Sequence, residues 1–163
     1  MQAEKLREIL TKQLTVHKSL LAIAERKTDI IKKGDLQSLN EILKHEQAHI
    51  ALISQLERER NEETVKLLSG HPIQGEQPTL SDVIEAVHST EKEPLRSLQT
   101  ELVACIQSLK ERNELNQQLI YQSMQFVNLT MDLIRPQPKN FNYEKPKRPI
   151  NAVKSHSMFN SKA

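Results

Sequence analysis

The pentapeptide HEQAH at residues 45–49 matches H-E-x-x-H, the helix motif of zinc peptidases. Residues four apart share one face of a helix, so His45 and His49 could bind zinc while Glu46 acts as a general base. Such a site also needs a third protein ligand and a cleft that excludes bulk water. As a third ligand the chain offers only surface acids such as Glu57, and a helical hairpin has no cleft. We therefore predict neither a metal site nor an enzyme.

The other reactive side chains stand apart from one another in the sequence. Cys105 is the only cysteine, which excludes an internal disulfide and indicates a reducing compartment. No histidine stands at helical spacing from Cys105, so a packing role is favoured over a nucleophilic one. His17 and the other scattered histidines are expected to be exposed. No glycine-rich phosphate loop occurs in the sequence, and no cofactor is predicted.

Charge is distributed unevenly along the chain. The formal net charge is +2, yet residues 136–163 contain six Lys or Arg and a single acid, Glu144. This proline-rich tail is too polar to fold alone. Six positive charges without a folded module give little support for nucleic-acid binding. We predict a helical domain over residues 1–135 and a flexible basic tail over residues 136–163.

The N-terminal sequence MQAEKLREIL contains no apolar core of a signal peptide. A bilayer span requires about twenty mainly apolar residues, and no such stretch occurs in the chain. We therefore expect a cytoplasmic protein that does not insert into membranes.

The composition favours an all-α fold, an antiparallel helical bundle or coiled-coil hairpin with a long C-terminal helix. Aromatic residues make up 3% of the chain, with three Gly and no Trp, which argues against sheet-based folds. Apolar residues at spacings of three and four predict a first helix that ends at Lys32 and Lys33. Gly34 suits the position after a helix and Asp35 an N-cap, so a second, antiparallel helix to about Ser69 is predicted. One long helix results instead if Gly34 is absorbed into it.

Residues 70–78, GHPIQGEQP, form the main predicted loop. Thr79 and Asp82 then resemble a capping box, with Asp in place of Glu, at the start of a short helix. Pro94 either starts the last helix or kinks a continuous one, and this helix is predicted to stop at Ile134.

The last helix carries two apolar stripes. At about 100° per residue, the first stripe is predicted to face the bundle, and it comprises Leu95, Leu98, Leu102, Ile106, Leu109, Asn113, Ile120, Met124, Val127, Met131 and Ile134. The opposite side is polar before residue 115 and then carries a second stripe, made of Leu115, Leu119, Gln122, Phe126, Leu129 and Leu133. Residues 115–131 contain no charge at all. A helix that is apolar on both sides is buried on both, so the second stripe must cover another element of the chain, a second copy or a partner protein.

The composition of this segment favours a partner. Every aromatic residue lies at position 121 or later, and every Met except Met1 at 124 or later. Such residues are common on adaptable protein-binding surfaces. Asn113 and Asn116 lie on or beside the first stripe, where buried amides can fix the register between helices.

The segments GDLQSLNEILKHEQ, LERER and NELNQQLIYQSMQFVNLTMDLI resemble the FlgN family of bacterial flagellar export chaperones, over roughly residues 4–135. The resemblance implies a cytoplasmic, non-enzymatic chaperone that keeps hook-filament junction proteins unpolymerised and delivers them to the gate and ATPase components of the type III export apparatus. It implies that the C-terminal helix binds the terminal helical segment of the exported protein, here termed the client. The implied client-binding residues are Asn113, Asn116, Leu115, Leu119, Met124, Phe126, Leu129 and Leu133. Tyr143 is implied to dock at the export gate.

The alternative is a self-associating coiled-coil scaffold, in which the second stripe closes a homodimer or a larger homo-oligomer. Its mass in solution would distinguish the scaffold from the chaperone.

Overall fold

The computed structural model describes residues 3–73 and 75–135, which form four helices. These are α1 (Glu4–Lys33), α2 (Leu36–Leu67), α3 (Leu80–Ala86) and α4 (Ser89–Ile134). No strand occurs within these two ranges. The predicted all-α class with a long C-terminal helix is confirmed.

The turn between α1 and α2 forms as the sequence predicted. Gly34 adopts a left-handed conformation with φ 70°, which other residues rarely adopt, and its N–H donates to the carbonyl of Ile31. The Asp35 carboxylate then accepts hydrogen bonds from the hydroxyl of Ser38 at 2.6 Å and from its N–H at 3.0 Å. The bond from the Ser38 hydroxyl is the main reason why the pKa of Asp35 is lowered. This turn makes α1 and α2 an antiparallel hairpin.

Helix α1 lies between α2 and α4. Lys27 of α1 pairs with Glu46 of α2 at 2.6 Å. On its other side α1 runs parallel to α4. There the Ala3 N–H donates to Glu91 at 3.1 Å, and the Thr28 hydroxyl donates to Asn116 at 2.6 Å. Within the described ranges α2 and α4 do not pack against each other. The three long helices therefore form a helical bundle, as predicted, that is open between α2 and α4.

Helix α3 closes one end of this bundle. Its N-terminus has the predicted capping box, in which Thr79 and Asp82 bond each other's backbone N–H groups. Residues from α1, α3 and α4 and from the adjoining loops, including Leu68 just after α2, meet there in one apolar cluster: Ala3, Leu6, Leu10, Leu68, Leu80, Val83, Ile84, Val87 and Leu95. Burying a side chain such as Leu contributes about 1.5–3 kcal/mol, so this end is the best-anchored part of the molecule.

Helix α4 begins at Ser89, five residues before Pro94. The prediction that Pro94 starts the last helix is therefore wrong. The proline ring removes one backbone donor, whose intrahelical acceptor would be the carbonyl of Thr90 in the first turn. The helix nevertheless continues past Pro94 to Ile134.

Helix α4 extends beyond the hairpin. The pairs Ala3–Glu91 and Thr28–Asn116 are both 88 residues apart, so α1 and α4 keep one register along their contact. The same offset places Lys33, the last residue of α1, level with Tyr121. Residues 122–134 of α4 therefore project past the hairpin by about 20 Å, at 1.5 Å per residue. We call this segment the overhang.

The overhang corrects one prediction. The first stripe was expected to face the bundle as far as Ile134, but from Ile120 onward it is exposed: Met124 is 60% and Val127 57% accessible. The physical reason is helix length, since α1 has 30 residues and α4 has 46. Beyond the end of α1, the first stripe of α4 has no neighbour in the described part of the chain.

Candidate partner-binding site

The second stripe is also exposed on the overhang. Phe126, Leu129 and Leu133 are 71%, 65% and 86% accessible, whereas Leu119 is half-buried and Leu115 lies near the edge of the α1 contact at 38%. Large apolar side chains this exposed, and this close together, mark an interaction surface more often than a free one. Both stripes of the overhang are thus available to bind other molecules.

The hydroxyl groups of the overhang do not need hydrogen bonds from a partner. The hydroxyl of Ser123 donates to the carbonyl of Leu119 at 2.8 Å, and that of Thr130 donates to the carbonyl of Phe126 at 2.9 Å. These two hydroxyls are satisfied by the helix itself. Because residues 115–131 carry no charge, a partner would be recognised through apolar contact and shape rather than through ion pairs.

Asn116 is not part of the exposed surface. It is 2% accessible, its amide donates to the carbonyl of Ala24 at 2.9 Å, and its side-chain oxygen accepts from Thr28. The prediction that Asn116 binds the client stays a prediction; in this structure both ends of its amide are used inside the chain. Its predicted alternative role, fixing the helix register, agrees with the structure. Asn113 is half-buried, and its side-chain oxygen is buried without a hydrogen-bond partner among the described residues.

The HEQAH segment, residues 45–49, supplies contacts between the two helices of the hairpin. The carboxylate of Glu46 is largely buried against Lys27. The ring of His49 contacts the carbonyl of His45 through Nδ1 at 2.8 Å and the hydroxyl of Ser19 through Nε2 at 3.0 Å. Within residues 3–73 and 75–135, no three His, Cys, Asp or Glu side chains lie close enough to hold a metal ion. The residue that would act as a base and one of the two metal ligands already have partners.

A groove runs between α2 and α4 over α1, and the sequence reasoning missed it. One part of it has a volume of about 400 Å³, lies beside Leu80, and is lined by Ile53 of α2 and by Val103 and Ile106 of α4. Farther along α2, Leu36, Leu43 and Ile50 are exposed at spacings of seven and so share one side of the helix. These three residues form one wall of the groove. Their regular spacing, separate from the α2 residues that are buried, was the sequence signal that could have indicated it. We call this surface the α2–α4 groove.

The floor of the groove is polar. Gln13 is 2% accessible and donates to Glu57 at 2.9 Å, which Arg60 also contacts at 3.0 Å. The hydrogen bond from Arg60 is the largest contribution lowering the pKa of Glu57, and the bond from Gln13 adds to it. His17, which was expected to be exposed, is buried here, because it lies on the side of α1 between α2 and α4; its ring contacts the carbonyl of Gln13 at 2.7 Å. These groups give the groove a charged pair at one level and apolar walls elsewhere.

The predictions for the tail and for membrane insertion concern other parts of the chain. Tyr143 and the tail at residues 136–163 lie outside the described residues. No helix in the described part of the chain is long and apolar enough to cross a membrane.

Comparison with known proteins identifies the family of the chain. The family model described as FlgN protein matches residues 1–149. The chain is 34% identical to the uncharacterized protein YvyG of Bacillus subtilis (strain 168), over 164 residues that cover all of both chains. No solved structure matches the chain. A family match of this extent, together with a full-length relative, confirms the resemblance that the sequence indicated: the chain belongs to the FlgN family, a family of flagellar export chaperones.

Proposed function

We propose that the second stripe of α4 binds the terminal helical segment of a hook-filament junction protein in the cytoplasm. The chaperone would keep that client unpolymerised and deliver it to the type III export apparatus. The observation that carries the proposal is the exposure of Phe126, Leu129 and Leu133 on the part of α4 that projects past the hairpin. The terminal helix of such a client would present an apolar stripe before assembly, and covering it would bury both stripes.

The proposed site has a defined lower boundary. Leu115 lies at the edge of a shallow, polar depression between α1 and α4 that also contains Glu25, Glu111 and Arg112. Below this level charged side chains replace the second stripe. From Leu115 to Leu133 the stripe is about 27 Å long at 1.5 Å per residue. A client segment of five turns of helix would cover it.

The energetics suit a chaperone that must release its client. Apolar burial contributes about 25 cal/mol per Å², and an ordinary interface buries near 1,600 Å² in total. The costs of association and of ordering a terminal segment offset much of this gain. The contact uses few charge pairs, so its strength depends mainly on the area covered, and the client can be released in steps as that area is lost.

The second part of the proposal concerns the tail, residues 136–163. Tyr143 follows α4 by nine residues, and a basic segment follows Tyr143. We propose that this region contacts the gate or ATPase components of the export apparatus while the second stripe holds the client. A chain that lacks residues 136–163 would then bind the client normally and fail to support its export.

The decisive experiment changes one residue on each stripe. Leu129 and Val127 are two positions apart, so they lie about 200° apart around the helix, and they have similar exposure. Leu129→Glu is expected to abolish binding of a junction-protein C-terminal fragment in a titration, and Val127→Glu is expected to retain it. Equal loss in both variants would mean that the client surrounds the overhang, and no loss in either would place the client elsewhere.

A further inference from the structure

The overhang is the part of α4 that no neighbouring helix stabilises. Among residues 120–135 every one is exposed except Thr130, which is half-buried. Most of the stability of a helix in a protein comes from tertiary packing, and an isolated helix shorter than about 12–15 residues is marginal in water. Residues 122–134 fall within that length. The packed part of α4 spares the overhang the cost of nucleation, so the helical state of the overhang depends on local interactions alone.

Interactions between side chains give the overhang little local support. Asp132 is its single charged residue, so the ion pairs between residues three or four apart that stabilise exposed helices cannot form within it. The packed part of α4 has such pairs, for example Glu93 with Arg96 at 3.3 Å. The hydroxyls of Ser123 and Thr130 bond carbonyls four residues earlier, a contact that slightly destabilises a helix. The overhang therefore has weaker local support than the rest of α4.

The C-terminus of α4 also lacks the features that end a stable helix. Asp132 stands in its last turn, where a negative charge opposes the helix dipole, and this turn contains no basic residue. The residue after the helix is Arg135 in an extended conformation. Helix α1, by contrast, ends with Lys32, Lys33 and a left-handed Gly34. Helix α4 is thus weakest at its free end, from which it can unravel.

We infer that the overhang unravels and re-forms in the free chain and becomes a persistent helix only when a client covers the second stripe. This inference rests on the proposed function. Ordering the overhang at the moment of binding lowers the client affinity, and release restores the conformational entropy that binding removed. Overhang residues outside the client contact therefore influence client affinity through their helix propensity. The stability of the overhang, and not only its contact surface, then sets how readily the client is released.

Amide hydrogen exchange of the full chain tests the inference directly. In the free chain, amides of the overhang should exchange at least tenfold faster than those of α4 between Leu95 and Asn116. A saturating junction-protein C-terminal fragment should slow exchange in the overhang by at least tenfold. An overhang as protected in the free chain as the packed part of α4 would overturn the inference, and so would a bound fragment that leaves the overhang unprotected. A fragment that does not bind at all would contradict the proposed function, and the free-chain exchange profile distinguishes the two failures.

Two matched positions test the role of helix propensity. Asn128 in the overhang and Lys110 in the packed part are both exposed and eighteen residues apart, so they share one side of α4, away from the second stripe. Glycine disfavours a helix relative to alanine, so Asn128→Gly should bind the fragment about fivefold more weakly than Asn128→Ala and keep its melting temperature. Lys110→Gly should instead melt at a lower temperature than Lys110→Ala and keep its affinity for the fragment. Equal affinity of the two Asn128 variants would mean that the overhang is already a helix before the client binds, and would overturn the inference.

Discussion

Thr28 of α1 donates a 2.6 Å hydrogen bond to the side-chain oxygen of Asn116 in α4, and both residues are 2% accessible. The Asn116 amide in turn donates to the carbonyl of Ala24. These bonds lie in the last three turns of α1, and Asn116 is the last buried residue of α4 in the described part of the chain. A shift of α4 by one residue would leave buried polar groups without partners. The network therefore holds the register that makes residues 122–134 project.

The first prediction concerns Asn116. Asn116→Leu keeps the size of the side chain but removes both hydrogen bonds of the amide, and the Thr28 hydroxyl and the Ala24 carbonyl then have only their mutual 3.1 Å contact in this network. Removing one partner from a buried polar pair costs about 1–3 kcal/mol, so the free energy of unfolding in urea should fall by that amount. Client affinity, measured well below the transition, should not change. A stable variant that has lost the client would show that Asn116 contacts the client after all.

The second prediction contrasts the packed and projecting parts of α4. Leu95 is 1% accessible and lies in the apolar cluster, so Leu95→Ala should cost about 2–5 kcal/mol. Met124 is 60% accessible, so Met124→Ala should lie within about 0.5 kcal/mol of wild type. Thermal unfolding at low protein concentration measures both. Equal destabilisation would mean that the overhang is packed in the monomer.

The third prediction concerns pH. The pKa of Glu57 is lowered in the folded chain, chiefly by the bond from Arg60. Its contribution to stability is therefore present above the unfolded-state pKa, near 4.3, and is lost as the pH falls through the lower folded value. Glu57→Gln should be less stable than wild type at neutral pH, and the difference should shrink below about pH 4. Urea midpoints at a series of pH values would show this. A difference that persists unchanged in acid would rule out the ionised carboxylate as its source.

The fourth prediction concerns the HEQAH segment. Because Glu46 is paired with Lys27 and His49 with Ser19, zinc should bind wild type no more tightly than the double variant His45→Ala plus His49→Ala. Isothermal titration with zinc tests this. Stoichiometric zinc that survives dialysis of wild type and is absent from the double variant would contradict it.

Local sequence chemistry was sufficient to predict the hairpin turn, the capping box and the end of α4. Each depends on a few adjacent residues, such as Gly34 with Asp35 or Thr79 with Asp82. The relative lengths of α1 and α4, and the register between them, were not accessible in this way. That register depends on a contact between residues 88 positions apart, Thr28 and Asn116. Periodicity could therefore find both stripes of α4 but could not show that the first stripe loses its neighbour beyond Tyr121.

The groove was missed for a related reason. Periodicity identifies the buried seam of a helix, and α2 has one through Ile42 and Leu56. The additional exposed residues Leu36, Leu43 and Ile50 look like ordinary surface positions until α4 is seen to stand apart from α2. Only the three-dimensional arrangement of the helices shows that these residues form one wall of an open groove.

The central claim is that the second stripe binds the client, and titration of the Phe126→Asp variant with a junction-protein C-terminal fragment tests it most directly. A carboxylate at this position would be buried unpaired in the complex, which costs several kcal/mol of binding. Phe126 is 71% accessible in the free chain, so the variant should keep the wild-type melting temperature. We predict that fluorescence anisotropy will show client affinity reduced by at least a hundredfold, with Ser108→Asp, on the same side but below Leu115, retaining wild-type affinity. A folded Phe126→Asp chaperone that binds the fragment as tightly as wild type would contradict the account.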